Sequence, residues 1–183
     1  NMVLPVLDEN KVDLLKDEVL SAKAEEDSIG GSIECAVIGL PAGIGEPFFD
    51  SVESRLSHIL FSIPGVKGVE FGSGFDISRM RGSEANDEFY IQDGAVRTKT
   101  NHSGGIQGGI TTGMPIIFRV AIKPTSSIGK TQRSVDMGKM EEVELNIKGR
   151  HDPCIVPRAV PVVEATAAIA ILDLYISHYF MAP

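Results

Sequence analysis

The chain has 183 residues, 43% hydrophobic and 23% charged, a balance that excludes disorder and fits one domain with a real core. The net charge of −8 is uneven: residues 1–27 hold eight acids and three bases, residues 96–158 ten bases and five acids. That pattern excludes the broad basic face of a nucleic-acid binder and favours a small anionic ligand near the middle of the chain.

In chain order, residues 8–26 read as a helix, with Val12, Leu15, Val19 and Ala22 at helical spacing and charges between them. The acidic start also suits a plain solvated helix, and with no basic leader a signal peptide is not expected. Asp27-Ser28-Ile29-Gly30-Gly31 stops that helix. A strand follows over 32–39, where Ile33, Cys35 and Val37 alternate with polar or small residues. A Gly/Pro loop spans 40–47. Asp50 is placed to cap a helix over 50–63, with Glu53 three residues on and a stripe of Val52, Leu56, Ile59, Leu60 and Ile63. Pro64-Gly65 ends it, a short strand covers 66–71, and 72–85 is irregular.

Segments 88–91 and 95–100 predict a hairpin around Asp93-Gly94. Residues 101–113 form a glycine-rich loop, 115–123 a strand, 142–148 an alternating strand, 150–158 a loop, and 159–179 the last and most buried helix. Its most apolar stretch, 165–172, is closed by Glu164 and Asp173. It is too short for the roughly 20 apolar residues of a membrane span, so a core helix and no membrane partner are expected. The order of elements predicts an α+β fold, a single domain with helices packed on antiparallel sheet. Cys35 and Cys154 lie far apart and make no CxxC pair, which suits a reduced, cytoplasmic protein.

Two motifs mislead. Gly129-Lys130-Thr131 has the ending of a phosphate-binding P-loop, but Pro124 stands where its first glycine is required. Gly72-Ser73-Gly74 opens a dinucleotide fingerprint whose third glycine is replaced by Ile77. No spacing among the four histidines suits zinc. Three loops carry more. Residues 104–113 hold five glycines whose N–H groups can cradle an anion, or simply form tight turns. Lys123-Pro124-Thr125-Ser126-Ser127 offers one charge and three hydroxyls, suited to a phosphate, a flavin edge or a solvated turn. Arg150 and Asp152, two residues apart, suit anion binding and proton movement, or a surface ion pair with Asp152 capping the next helix. The three loops are expected to converge on one concave site.

Several runs in this order resemble the C-terminal half of the chorismate synthase family, over nearly the whole chain. They are Asp27–Gly31, Gly39–Pro47, Ser62–Glu70, Arg81–Glu84, Asn101–Ile110, Lys123–Ile128, Gly149–Cys154 and the stretch ending at Glu164. The resemblance implies half of a β-α-β sandwich and a site for reduced FMN contacted by Gly108, Lys123, Pro124, Thr125, Ser126, Ser127 and Arg150. Arg150 and Asp152 would line the substrate pocket, with Asp152 the catalytic residue that assists proton movement. The implied reaction is an anti-1,4-elimination of phosphate from 5-enolpyruvylshikimate 3-phosphate to give chorismate, without net redox change. The resemblance leaves open whether NADPH reduces the flavin on the same enzyme. Such enzymes are homotetramers. Their N-terminal half carries Gly-Glu-Ser-His and Arg-Ser-Ser-Ala-Arg motifs, neither of which occurs here. The chain alone is therefore expected to be inactive and to need that half as partner. The competing reading is a non-catalytic ligand-binding or oligomerisation domain.

Overall fold

A computed structural model describes residues 5–149 and 151–181, including all but the side chain of Met181. The chain divides into two compact units, one of residues 1–31 and 122–160 and the other of 32–121 and 161–183.

The first unit opens with a 3-10 turn, Glu9–Lys11, whose leading Asp8 side chain accepts from the Asn10 N–H. Helix α1, Val12–Ala24, follows. Only Val19 and Ala22 of its expected stripe are buried; Leu15 is exposed. Strands β8, Gln132–Asp136, and β9, Glu141–Leu145, pair antiparallel from Gln132↔Leu145 to Asp136↔Glu141. The sequence reading missed β8, because Arg133, Ser134 and Asp136 break any run of strand-forming side chains. All of β9 is exposed, so its alternation does not mark a buried face.

The second unit holds the larger core: Phe118, Ile44, Leu56, Leu60, Ile116, Val52, Val120 and Val163 are fully buried. Strands β1 (Gly31–Val37), β7 (Ile116–Ile122) and β2 (Val66–Phe71) form a sheet with β7 central. Every second residue of β7 is buried, from Ile116 to Ile122. Gly68 faces Ala121, Glu70 pairs with Arg119 at 2.9 Å, and the Gly72 N–H donates to the Ile117 carbonyl. Each step forward along β2 is matched by a step back along β7, so this pair is antiparallel. Helix α2, Val52–Leu60, buries Val52, Leu56 and Leu60, as its spacing predicted. Its cap is Ser51 and not Asp50: the Ser51 hydroxyl accepts from the Ser54 N–H, while Asp50 closes a preceding 3-10 turn. The irregular stretch contains a 3-10 turn, Gly74–Arg79, and a one-turn helix α3, Gly82–Ala85.

The predicted hairpin is present as β3 (Phe89–Gln92) and β4 (Ala95–Thr98). Asp93 and Gly94 both take positive φ, as its two-residue turn requires. The glycine loop carries a second, smaller hairpin, β5 (Ile106–Gln107) and β6 (Ile110–Thr111), turning at Gly108-Gly109. Helix α4, Val156–Ile176, starts three residues before its expected position and continues as a π turn to Met181. It is not the most buried helix. Val163, Ala167, Ala170 and Leu174 are its buried residues, while Ile169 is 59% and Leu172 58% exposed. Residues Val156–Phe180 are long and apolar enough to cross a membrane, 18 consecutive residues among them reaching a mean hydropathy of 1.8, whereas the sequence expectation weighed only the stretch 165–172. The mixed architecture with antiparallel pairing is the predicted α+β class.

Candidate functional site

In the first unit, 123–128 leaves the end of β7 and 151–155 leads into α4. Both are held against the segment after α1. The Ser28 hydroxyl donates to the Thr125 carbonyl at 2.6 Å, and the Ile29 N–H to the Pro153 carbonyl at 2.8 Å. The Thr125 hydroxyl donates to the Asp152 carbonyl at 3.2 Å. Two of the three predicted loops are thus joined by one direct hydrogen bond and share the 28–29 segment as a common support. Lys123, Pro124, Ser126 and Ser127 are exposed. Among the described residues no partner engages the Lys123 ammonium or the Ser126 and Ser127 hydroxyls.

Asp152 is half-buried. One carboxylate oxygen accepts from the Cys154 N–H at 3.3 Å, and the other forms an ion pair with Arg158. The ion pair matches one of the plain readings of this segment, and it also fixes the carboxylate's direction. Arg150 lies outside the described residues. Beside it in sequence, His151 is half-buried, and its Nε2 donates to the Ile147 carbonyl at 2.8 Å. A cleft of about 570 Å3 in this unit is lined by Lys23, Glu26, Asp27, Asn146, Lys148 and His151 among others.

The far end of the hydroxyl loop is clamped to the residues that follow α1. The Gly129 N–H donates to the Glu26 carbonyl, and the Lys130 ammonium pairs with Asp27 at 2.7 Å and Glu25 at 3.3 Å. The hydrogen bond from Lys130, helped by the Ser28 N–H, holds the Asp27 carboxyl below its ordinary range. Lys130 is therefore structural, and a strand follows it where a P-loop needs a helix.

The third loop belongs to the second unit. Gly108 is exposed at the tip of its hairpin with φ +60, and the space where a side chain would stand is open. The loop's base is fixed by a residue the sequence reading missed. Asp87, 6% exposed, accepts from the Thr100 hydroxyl (2.7 Å), the His102 N–H (2.7 Å) and the Ser103 N–H (2.9 Å). Burial pushes its pKa up, but these hydrogen bonds together outweigh burial and leave it lowered. Ser73 Oγ lies 2.8 Å from His102 Nδ1. Gly72 and Gly104 approach so closely that a Cβ on either would strike the other's backbone. Nothing in the local sequence marks Asp87; its role arises from a contact with a turn more than ten residues away. Among the described residues no cluster of His, Cys, Asp and Glu is placed to hold a metal ion. Cys35 and Cys154 are free thiols; burial, then the Glu164 carboxylate, raises the pKa of Cys35.

The family model described as chorismate synthase matches residues 1–176. A chorismate synthase of Thermococcus gammatolerans is 52% identical over 166 residues, 91% of this chain and 47% of the relative. One of Korarchaeum cryptofilum is 56% identical over 152 residues, 83% of this chain and 42% of the relative. A crystal structure of a chorismate synthase superposes with a TM-score of 0.75 at 29% identity, covering 93% of this chain and 44% of that one. The chain spans about half the length of the curated relatives it matches, and the stretch matched is the C-terminal half. On these matches the chain belongs to the chorismate synthase family.

Proposed function

We propose that this chain supplies one half of the machinery for the elimination of phosphate from 5-enolpyruvylshikimate 3-phosphate to give chorismate with reduced FMN. The observation that carries the reading is the junction in the first unit, which sets Lys123, Ser126 and Ser127, without partners among the described residues, beside the Asp152 segment. That donor set fits a flavin mononucleotide: one ammonium and two hydroxyls suit its polar edge or its phosphate. Lys123, Pro124, Thr125, Ser126 and Ser127 would hold it, together with Arg150. Reduced flavin, when bound, supplies electron density to the reacting substrate. Asp152, oriented by Arg158, would accept or relay a proton, and Arg150 would bind substrate. Cationic and hydroxyl donors fixed in advance stabilise the departing phosphate.

The remaining length of the family's chain is the proposed partner. Val162, Ile169, Leu172 and Ile176 fall on the side of α4 opposite its buried stripe, and each is at least 40% exposed. Such an apolar face is a surface for a protein neighbour. We place the whole enzyme in the cytoplasm as a soluble homotetramer, with α4 a packed helix and not a membrane span. The buried stripe of α4 and the Arg55–Asp173 ion pair support the packed helix. The test supplies the other half of the Thermococcus gammatolerans relative as a separate chain, with substrate and chemically reduced FMN under anaerobic conditions. The 183-residue chain alone is expected to release no phosphate above background, and the pair to release it. Equal activity with and without the partner would overturn the reading.

A further inference from the structure

We infer that Ser28 is a positioning residue for the proposed cofactor loop, and that Thr125 acts first as a joint between that loop and the Asp152 segment. The inference rests on the functional reading above and assigns duties within it. Three interactions run through 28–31. The Ser28 hydroxyl donates to the Thr125 carbonyl, the Ile29 N–H donates to the Pro153 carbonyl, and Gly30 lies against the Ile122 carbonyl. A Cβ at Gly30 would overlap that carbonyl oxygen and stand 3.0 Å from the Pro124 ring. At Gly31 a Cβ would meet Val156 at 3.2 Å. The segment is thus a backbone wedge touching both loops at once.

The hydrogen-bond inventory then divides the labour. Thr125 spends its hydroxyl proton on the Asp152 carbonyl, and its own carbonyl already accepts from Ser28. Toward a ligand its hydroxyl is left with lone pairs only. Within the loop, side-chain donation to a phosphate or a flavin oxygen therefore falls to Lys123, Ser126 and Ser127. Ser28 Oγ, Thr125 and the Asp152 carbonyl make one continuous link. Both bonds hold Thr125, one to the 28–31 wedge and one to the segment bearing Asp152, so losing either lets the donor loop shift.

The test uses this chain reconstituted with the complementary half, reading FMN affinity by quenching of flavin fluorescence and turnover by phosphate release. Ser28→Ala is expected to weaken FMN binding about five- to twentyfold, as loss of one hydrogen bond implies. Thr125→Val is expected to do the same, and Ser28→Thr to restore affinity because it keeps the hydroxyl. The double variant Ser28→Ala/Thr125→Val should lose no more than the worse single variant, since both bonds hold the same residue and its release costs affinity once. Independent structural damage would add instead. Additive losses in the double variant, or full FMN affinity in Ser28→Ala, overturn the inference while leaving the functional reading intact. An unaltered pair that binds no FMN sinks both. Should Ser28→Ala fail to fold, Thr125→Val against Thr125→Ser reports on the same link: the serine must bind FMN more tightly.

Discussion

At the scale of residues, the chain relies on a few side chains that satisfy backbone groups far away in sequence. Asp87 is the clearest. It carries three hydrogen bonds into the turn that launches the glycine loop, and its pKa is lowered. A carboxyl whose folded pKa lies below its unfolded value of about 3.9 contributes stability above that value and loses it as pH falls through the folded pKa. Urea titrations should therefore show Asp87→Ala less stable by about 3 kcal/mol at pH 7, because buried donors lose an ionised acceptor. The gap should close as pH falls well below about 4. A gap that is the same at pH 7 and pH 3 would show that packing, not the charge, holds the turn. Ser51 is a smaller case. Its hydroxyl caps α2, and Ser51→Ala should cost about 1 kcal/mol, whereas Asp50→Ala, outside the cap, should cost less. The sequence suggested a cap but placed it one residue early, since Asp50 and Ser51 are equally good by type. Only the position of the first helical N–H groups separates them. Asp87, by contrast, was not legible at all, because its partners are set by the turn and not by spacing.

At the scale of elements, hydrophobic period was a sound guide wherever an element packs against one neighbour. The stripe of α2, the alternation of β1 and β7, and the Asp-Gly hairpin are all as read. Period failed where the apolar residues exceed what the chain itself can cover. Helix α4 is apolar all round, so its composition says "buried" while only the stripe Val163, Ala167, Ala170 and Leu174 is. This gives a test by contrast. Leu174→Ala should destabilise the chain by about 2–4 kcal/mol, through lost burial and an unfilled space. Leu172→Lys, on the opposite and exposed face, should leave chemical stability within about 0.5 kcal/mol. It should nonetheless abolish reconstitution if that face meets the partner. The predicted strand β9 shows the same limit in reverse, since its alternation is real but Val143 and Leu145 stay exposed.

At the scale of the whole molecule, the family's motifs were legible from their order along the chain. Two of the three loops they mark are hydrogen-bonded neighbours in one unit. The arrangement of the third was not legible, because glycine spacing fixes permissive backbone and not the fold around it. The thermodynamic consequence of an uncovered apolar face can be measured without any assay of catalysis. If the complementary half binds the folded chain and not the unfolded one, it stabilises the fold by mass action. At a partner concentration one hundred times its dissociation constant the gain is about 2.7 kcal/mol. For a chain of this size that corresponds to a rise in melting temperature of roughly 5–10 °C, increasing with the logarithm of partner concentration. FMN, whose proposed contacts lie largely in loops 123–128 and 149–154, should add a smaller further rise, and only for the assembled pair if both halves contribute to its site. Scanning calorimetry of the chain alone, with FMN, with the partner half, and with both would separate these terms. A melting temperature indifferent to the partner at every concentration would mean that the apolar face of α4 is not where the rest of the enzyme docks.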